Sequence, residues 1–159
     1  MTMAGRRIAL DVMGGDNAPH AILVGALAAL EGEDPLTADR IILVGDEEVI
    51  KEHLAARGGD HGFHVQHAAE AVAMGEDPRK ALRSKPDNSI SRSAMLVKEG
   101  GAVGLVRMGN TGMVVAASTV LIGRLVGVRM PAIAVTVGLS GHPVVRMDMG
   151  AKVDAPPEY

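Results

Sequence analysis

A chain of 159 residues with an apolar fraction of 47% is long enough for one compact domain with its own core, within the ordinary range for a soluble globular protein. Phe63 and Tyr159 are its only aromatic residues and cysteine is absent, which leaves almost no means of stacking on nucleic-acid bases and excludes disulfides, thiolate metal sites and a cysteine nucleophile. The formal charge of −3 gives no general pull toward nucleic acid or an anionic membrane surface, so any basic site must be local and the chemistry must come from oxygen and nitrogen groups.

From the N-terminus, the apolar run behind Arg6 and Arg7 meets Asp11 after three residues, too short for a secretory signal, and a cytoplasmic location is expected. A strand is predicted over 8–12. The tight loop Met13-Gly14-Gly15-Asp16-Asn17-Ala18-Pro19 follows, and then a helix to about residue 30 with Ile22, Leu23, Ala26, Leu27 and Leu30 on one side. A second strand over 40–44 ends in Gly45-Asp46, where Asp46 can cap a helix over 47–56 that buries Val49, Ile50 and Leu54 and stops at Gly58-Gly59. This alternation predicts parallel βαβ units.

After a short strand over 63–67 comes a polar region, 70–88, with a helix over 78–84 and no strong core signal. Arg79, Lys80, Arg83, Lys85 and Arg92 make a basic cluster there, either a solvated face or a dock for an acidic partner. His61, His64 and His67 recur every third residue, but strand alternation sends His64 and His67 to opposite faces, so no metal site is expected. Asp87 or Asn88 can cap a helix to residue 99 with Ile90, Ala94 and Val97 inward, ended by Gly100-Gly101.

Next, a strand over 103–106 enters Arg107-Met108-Gly109-Asn110-Thr111-Gly112-Met113. Free N–H groups at the start of a helix suit an anion. The glycines allow close backbone approach, and Asn110 and Thr111 add side-chain hydrogen bonds or cap the helix. A buried helix over 113–125 is expected, and then strands over 131–137 and 143–148 joined by a hairpin loop, which would make the sheet mostly parallel but mixed. The last strand runs into Met149-Gly150-Ala151-Lys152-Val153-Asp154. With no further helix to cover that strand, the expectation is a single α/β domain over 1–159 that forms part of a longer protein. Three strands thus deliver glycine loops, which gather at the carboxyl ends of a parallel sheet.

These segments resemble the bacterial phosphate acyltransferase family. Leu10-Asp11-Val12-Met13-Gly14-Gly15-Asp16-Asn17-Ala18-Pro19 is similar to its N-terminal signature and Ile42-Leu43-Val44-Gly45-Asp46 to its second strand and turn. Gly109-Asn110-Thr111-Gly112 and Asp148-Met149-Gly150-Ala151 match two later motifs. The resemblance runs from Ile8 to Tyr159 and covers about the N-terminal half of a family member. It implies a three-layer α/β/α fold related to phosphotransacetylases and to isocitrate and isopropylmalate dehydrogenases, commonly dimeric with an active-site cleft. Lys152 stands where the family usually has Asn, Asn17 where His is common, and Arg107-Met108 where small residues precede the glycine.

The implied reaction moves a fatty acyl group from acyl carrier protein to inorganic phosphate, giving acyl-phosphate for phospholipid synthesis, with no cofactor. Phosphate attacks the thioester carbonyl and the carrier's thiol leaves, so the protein's tasks are to hold phosphate in place and to stabilise an oxyanion. Asn110 is the candidate polar stabiliser. Asp16 and Asp148 would orient neighbours, since an ordinary carboxylate is a poor base at neutral pH. Ligand contacts fall to Gly14, Gly15, Thr111, Gly112, Gly150 and Lys152, and the basic cluster would receive the carrier protein. Two other classes stay open: a dehydrogenase-like dinucleotide domain, against which no Gly-x-Gly-x-x-Gly follows the first strand, and a non-catalytic fragment or assembly subunit.

Overall fold

The structure, a computed structural model, describes residues 6–128, 131–139 and 142–147. Residues Met1–Ile122 form one compact unit and Gly123–Tyr159 a second.

In the first unit, β1 (Ile8–Asp11), β2 (Ile41–Gly45), β3 (His64–His67) and β4 (Gly104–Arg107) pair in parallel in the order β3-β2-β1-β4. β2 shows why this sheet forms. Every one of its residues is buried, and β-branched or aliphatic side chains alternate between two helical layers. Ile41 and Leu43 pack with Leu23 and Ala26 of α1 (His20–Ala28), with Ile50 and Leu54 of α2 (Glu47–Ala55), and with Phe63. Ile42 and Val44 face the other way, onto Ala9, Ala68, Leu96 and Val97 beneath α4 (Ser89–Lys98). Each fully buried Leu or Ile contributes roughly 1.5–3 kcal/mol. The architecture is therefore three-layer α/β/α.

The helices start where short polar side chains meet their free amides. Asp46 Oδ1 accepts from Glu48 and Val49 N–H, Asp77 caps α3 (Pro78–Ser84), and Asn88, rather than Asp87, caps α4. The polar region 70–88 departs from expectation. Val72 and Ala81 join Ile90, Ala94, Met113 and Ala117 in a second core on the α4 side. The segment's polar surface hides two inward-facing apolar residues that no periodic pattern announces.

The expected buried helix over 113–125 also differs. α5 (Thr111–Ala117) is α-helical, Ser118–Ile122 widens into a π-helical turn, and Val120 is 68% exposed. The antiparallel pairing expected near the C-terminus is present, between β5 (Ala134–Leu139) and β6 (His142–Met147). These two strands make a ribbon of their own in the second unit, so the four-stranded sheet is parallel throughout. Among the described residues, no helix is long and apolar enough to cross a membrane.

Leu43 is fully buried and Val24 is 41% exposed on α1. Leu43→Ala is expected to cost about 2–5 kcal/mol and Val24→Ala less than about 0.5 kcal/mol, a contrast read from urea unfolding midpoints.

Candidate functional site

β1 lies between β2 and β4, so the chain leaves β1 toward one helical layer and β4 toward the other. A crevice opens at the carboxyl ends of such a strand pair. The register places Asp11 directly beside Arg107, and the loop after β1 against the turn after β4.

The contact between the two turns is tight. A Cβ on Gly15, whose φ is +108°, would come within 2.8 Å of the Met108 carbonyl oxygen. One on Gly14 would lie 2.9 Å from that oxygen and 2.9 Å from Arg107 Nε, and one on Gly109 would lie 3.1 Å from Arg107 Nε and 3.1 Å from the Gly15 nitrogen. Glycine is needed at these positions because the two backbones touch. Two of the three glycine turns, at Gly14-Gly15 and at Met108-Gly109, are thus brought into contact. Asp148, Gly150 and Lys152 lie outside the described residues.

Beneath the turns sits a buried ion pair. The side chains of Arg107 and Asp11 are 1% and 0% exposed, with Nη1 3.0 Å from Oδ2. The contact is not lined up with an N–H, so it is Coulombic rather than a hydrogen bond. Asp11 Oδ1 accepts from the Met13 amide at 3.0 Å, and Arg107 Nη2 donates to the Val72 carbonyl at 3.0 Å. Arg107 therefore links β1, β4 and the 71–77 segment.

Asn110 does two jobs at once. Its Oδ1 accepts from the Met113 amide and caps α5, and its Nδ2 donates to the carbonyls of Met74 and Glu76, both at 3.0 Å. Direct contact of Nδ2 with an oxyanion would require releasing one of those carbonyls. Asp16, Thr111 and Gly112 are exposed. Close to Gly112 is Pro78, at the start of α3, within 3.2 Å of where a Cβ would stand.

Within the basic cluster, Arg79, Lys80 and Arg83 are exposed on α3. The other two are engaged: Lys85 Nζ donates to Glu76 at 2.7 Å and to the Ala71 carbonyl at 2.9 Å, and Arg92 pairs with Asp87. Lys85, together with the Ala73 amide, holds the Glu76 carboxyl below its ordinary value, and Arg92 does the same for Asp87. His61 Nε2 lies 3.1 Å from the Arg57 carbonyl oxygen and His67 Nδ1 accepts from the Glu47 amide.

Sequence reading missed Asp11 and Arg107 as a pair. The available signal was one charge of each sign at the last position of two apolar strands, which parallel pairing sets side by side.

Arg107→Met strands the buried Asp11 carboxylate and is expected to cost about 3–5 kcal/mol, whereas Asp11→Asn/Arg107→Met removes both charges and should stay within about 1–2 kcal/mol of the parent, as measured by urea unfolding. Carboxylates depressed in the folded state stabilise it above their unfolded pKa, and that contribution is lost as pH falls through the folded value. Hydrogen-exchange protection of the Ala69 and Ala73 amides, which donate to Asp87 and Glu76, is accordingly expected to decline below about pH 4 and to be flat above about pH 5.

The profile of the family described as "Fatty acid synthesis protein" matches residues 6–159. The phosphate acyltransferase of Halorhodospira halophila is 41% identical over 154 residues, covering 96% of this chain and 44% of the relative. That of Bacillus licheniformis is 39% identical, again over 96% of this chain and 45% of the relative, and that of Methylococcus capsulatus 42% identical over 96% and 44%. The chain thus spans a little under half the length of these relatives. By the extent of the family match and the identity to these proteins, the chain belongs to the fatty acid synthesis protein family.

Proposed function

We propose that the protein carrying this sequence is a phosphate acyltransferase that moves a fatty acyl group from acyl carrier protein to inorganic phosphate, and that the β1–β4 crevice contributes the phosphate side of its active site. The observation that carries the reading is the meeting of Gly14-Gly15 with Met108-Gly109 at the carboxyl ends of adjacent parallel strands. Backbone amides at such a crevice offer fixed donors to an anion, and donors held in place before the reaction stabilise developing charge without reorganising.

In this mechanism a phosphate oxygen attacks the thioester carbonyl, the carbonyl π electrons move onto oxygen, and collapse of the tetrahedral oxyanion expels the carrier's sulfur as thiolate. Phosphate is already anionic near neutral pH, so positioning matters more than a strong base. Asn110 serves by holding the turn after β4 against Met74 and Glu76, and Asp16 stands at the mouth of the loop after β1 to orient the groups that enter. Gly15, Thr111 and Gly112 line the approach. Exposed Arg79, Lys80 and Arg83 receive the acidic carrier protein. The relatives' greater length supplies the rest of the cleft, and the working form is a cytoplasmic homodimer.

The test is acyl-phosphate formation from acyl-acyl carrier protein in phosphate buffer, run on the full-length protein and on residues 1–159 alone. Phosphate-dependent product from the former, with little from the latter and at least a hundredfold loss in Asn110→Ala, is the expected result. Turnover that depends on a nicotinamide dinucleotide would replace this reading with the dehydrogenase one. Carrier binding with no turnover by the full-length protein would replace it with the assembly one.

A further inference from the structure

Arg107 carries donors that the fold does not use. Its side chain is 1% exposed, yet Nε and Nη1 have no hydrogen-bond acceptor among the described residues. Native interiors rarely leave such groups unmatched, and each one costs stability when it is buried. Asp11 and the Val72 carbonyl occupy the far end of the guanidinium. The Nε edge faces the bare Cα positions of Gly14 and Gly109, where added Cβ atoms would stand 2.9 Å and 3.1 Å away. The Gly15 nitrogen lies at that same face, 3.1 Å from the Gly109 Cβ position. A charged donor edge and a backbone nitrogen therefore lie together where Gly14 and Gly109 present no side chains, beside the Met108 carbonyl oxygen.

We propose that Arg107 is the anchoring cation for the anionic substrate in this crevice, its Nε edge donating to an oxygen of inorganic phosphate while Asp11 and Val72 hold the guanidinium in place from behind. This deepens the acyltransferase reading and rests on it for the identity of the anion. Arginine suits the task because its planar fork keeps its charge and its direction when buried. Two methionines border the glycine turns. Met74 Sδ lies 3.2 Å from the Gly109 Cβ position and Met108 Cβ 3.3 Å from that of Gly15, and these residues are 49% and 57% exposed. Nε is buried beneath Gly14 and Gly109, so an anion reaches it only as these two turns part.

The experiment titrates inorganic phosphate, against chloride at matched ionic strength, into isotopically labelled residues 1–159. It follows the Gly15 and Gly109 amide resonances and the Met74 and Met108 methyl resonances. The wild-type chain is expected to show saturable shifts at all four. Arg107→Lys, which keeps the charge beside Asp11 but loses the fork, should weaken binding roughly tenfold, and Asp11→Asn/Arg107→Met, which keeps no buried charge, at least a hundredfold. Spectral dispersion and urea unfolding confirm that each variant is folded, and if the double variant does not fold, Arg107→Lys alone decides. Equal affinity in wild type and Arg107→Lys, shifts confined to other residues, or no saturable shift in the wild-type chain would each overturn the anchor. The acyltransferase reading fails separately. Phosphate binding lost with Arg107 alongside a full-length protein that makes no acyl-phosphate would retain the anchor and remove the reaction.

Discussion

The pairing of β1 with β4 is the constraint on which the rest of this structure depends. It sets Asp11 beside Arg107, brings two glycine turns into contact, and sends the following helices to opposite layers of the sheet. A one-residue slip in that register would turn every side chain of one strand to the other face and part the two charges. Because both side chains are buried, such a slip would leave a carboxylate and a guanidinium unpaired in a low-dielectric interior, at several kcal/mol each. A pair of this kind adds little net stability over an apolar one, but it penalises the wrong alignment heavily.

The 71–77 segment is the second support. Arg107 reaches Val72, Asn110 reaches Met74 and Glu76, and Lys85 closes the segment back onto α3. Its backbone carbonyls, which a loop would ordinarily give to water, are spent on positioning the turn after β4. Val72 then pins the segment to the core of α3, α4 and α5. Packing on one side and polar tethers on the other hold this loop against the turn after β4.

Much of this was legible in the sequence. The extents of β2, α2, α3 and α4 follow from apolar periodicity bracketed by Asp46, Asp77, Asn88 and the Gly58-Gly59 stop, signals whose physical basis is local. The convergence of Gly14-Gly15 with Gly109 followed from reading the strands as parallel. What escaped was non-local. Val72 is one buried apolar residue in a polar stretch, the Asp11–Arg107 pair depends on strand order, and the two captures by the Asn110 side-chain amide depend on a loop more than thirty residues away in sequence. The break of α5 into a π-helical turn at Ser118 coincides with Thr119 donating its hydroxyl to the Val115 carbonyl, a competition for backbone acceptors that β-branched apolar periodicity does not reveal.

The central claim is that this crevice is an anion site built around Arg107. Anomalous diffraction from crystals of residues 1–159 soaked in arsenate, a tetrahedral stand-in for phosphate, tests it most directly. The account predicts an arsenic peak between the Gly14-Gly15 and Met108-Gly109 turns, with an oxygen within hydrogen-bonding distance of Arg107 Nε. A peak found only on the exposed basic side chains of α3, with the Arg107 donors still unmatched, would contradict it.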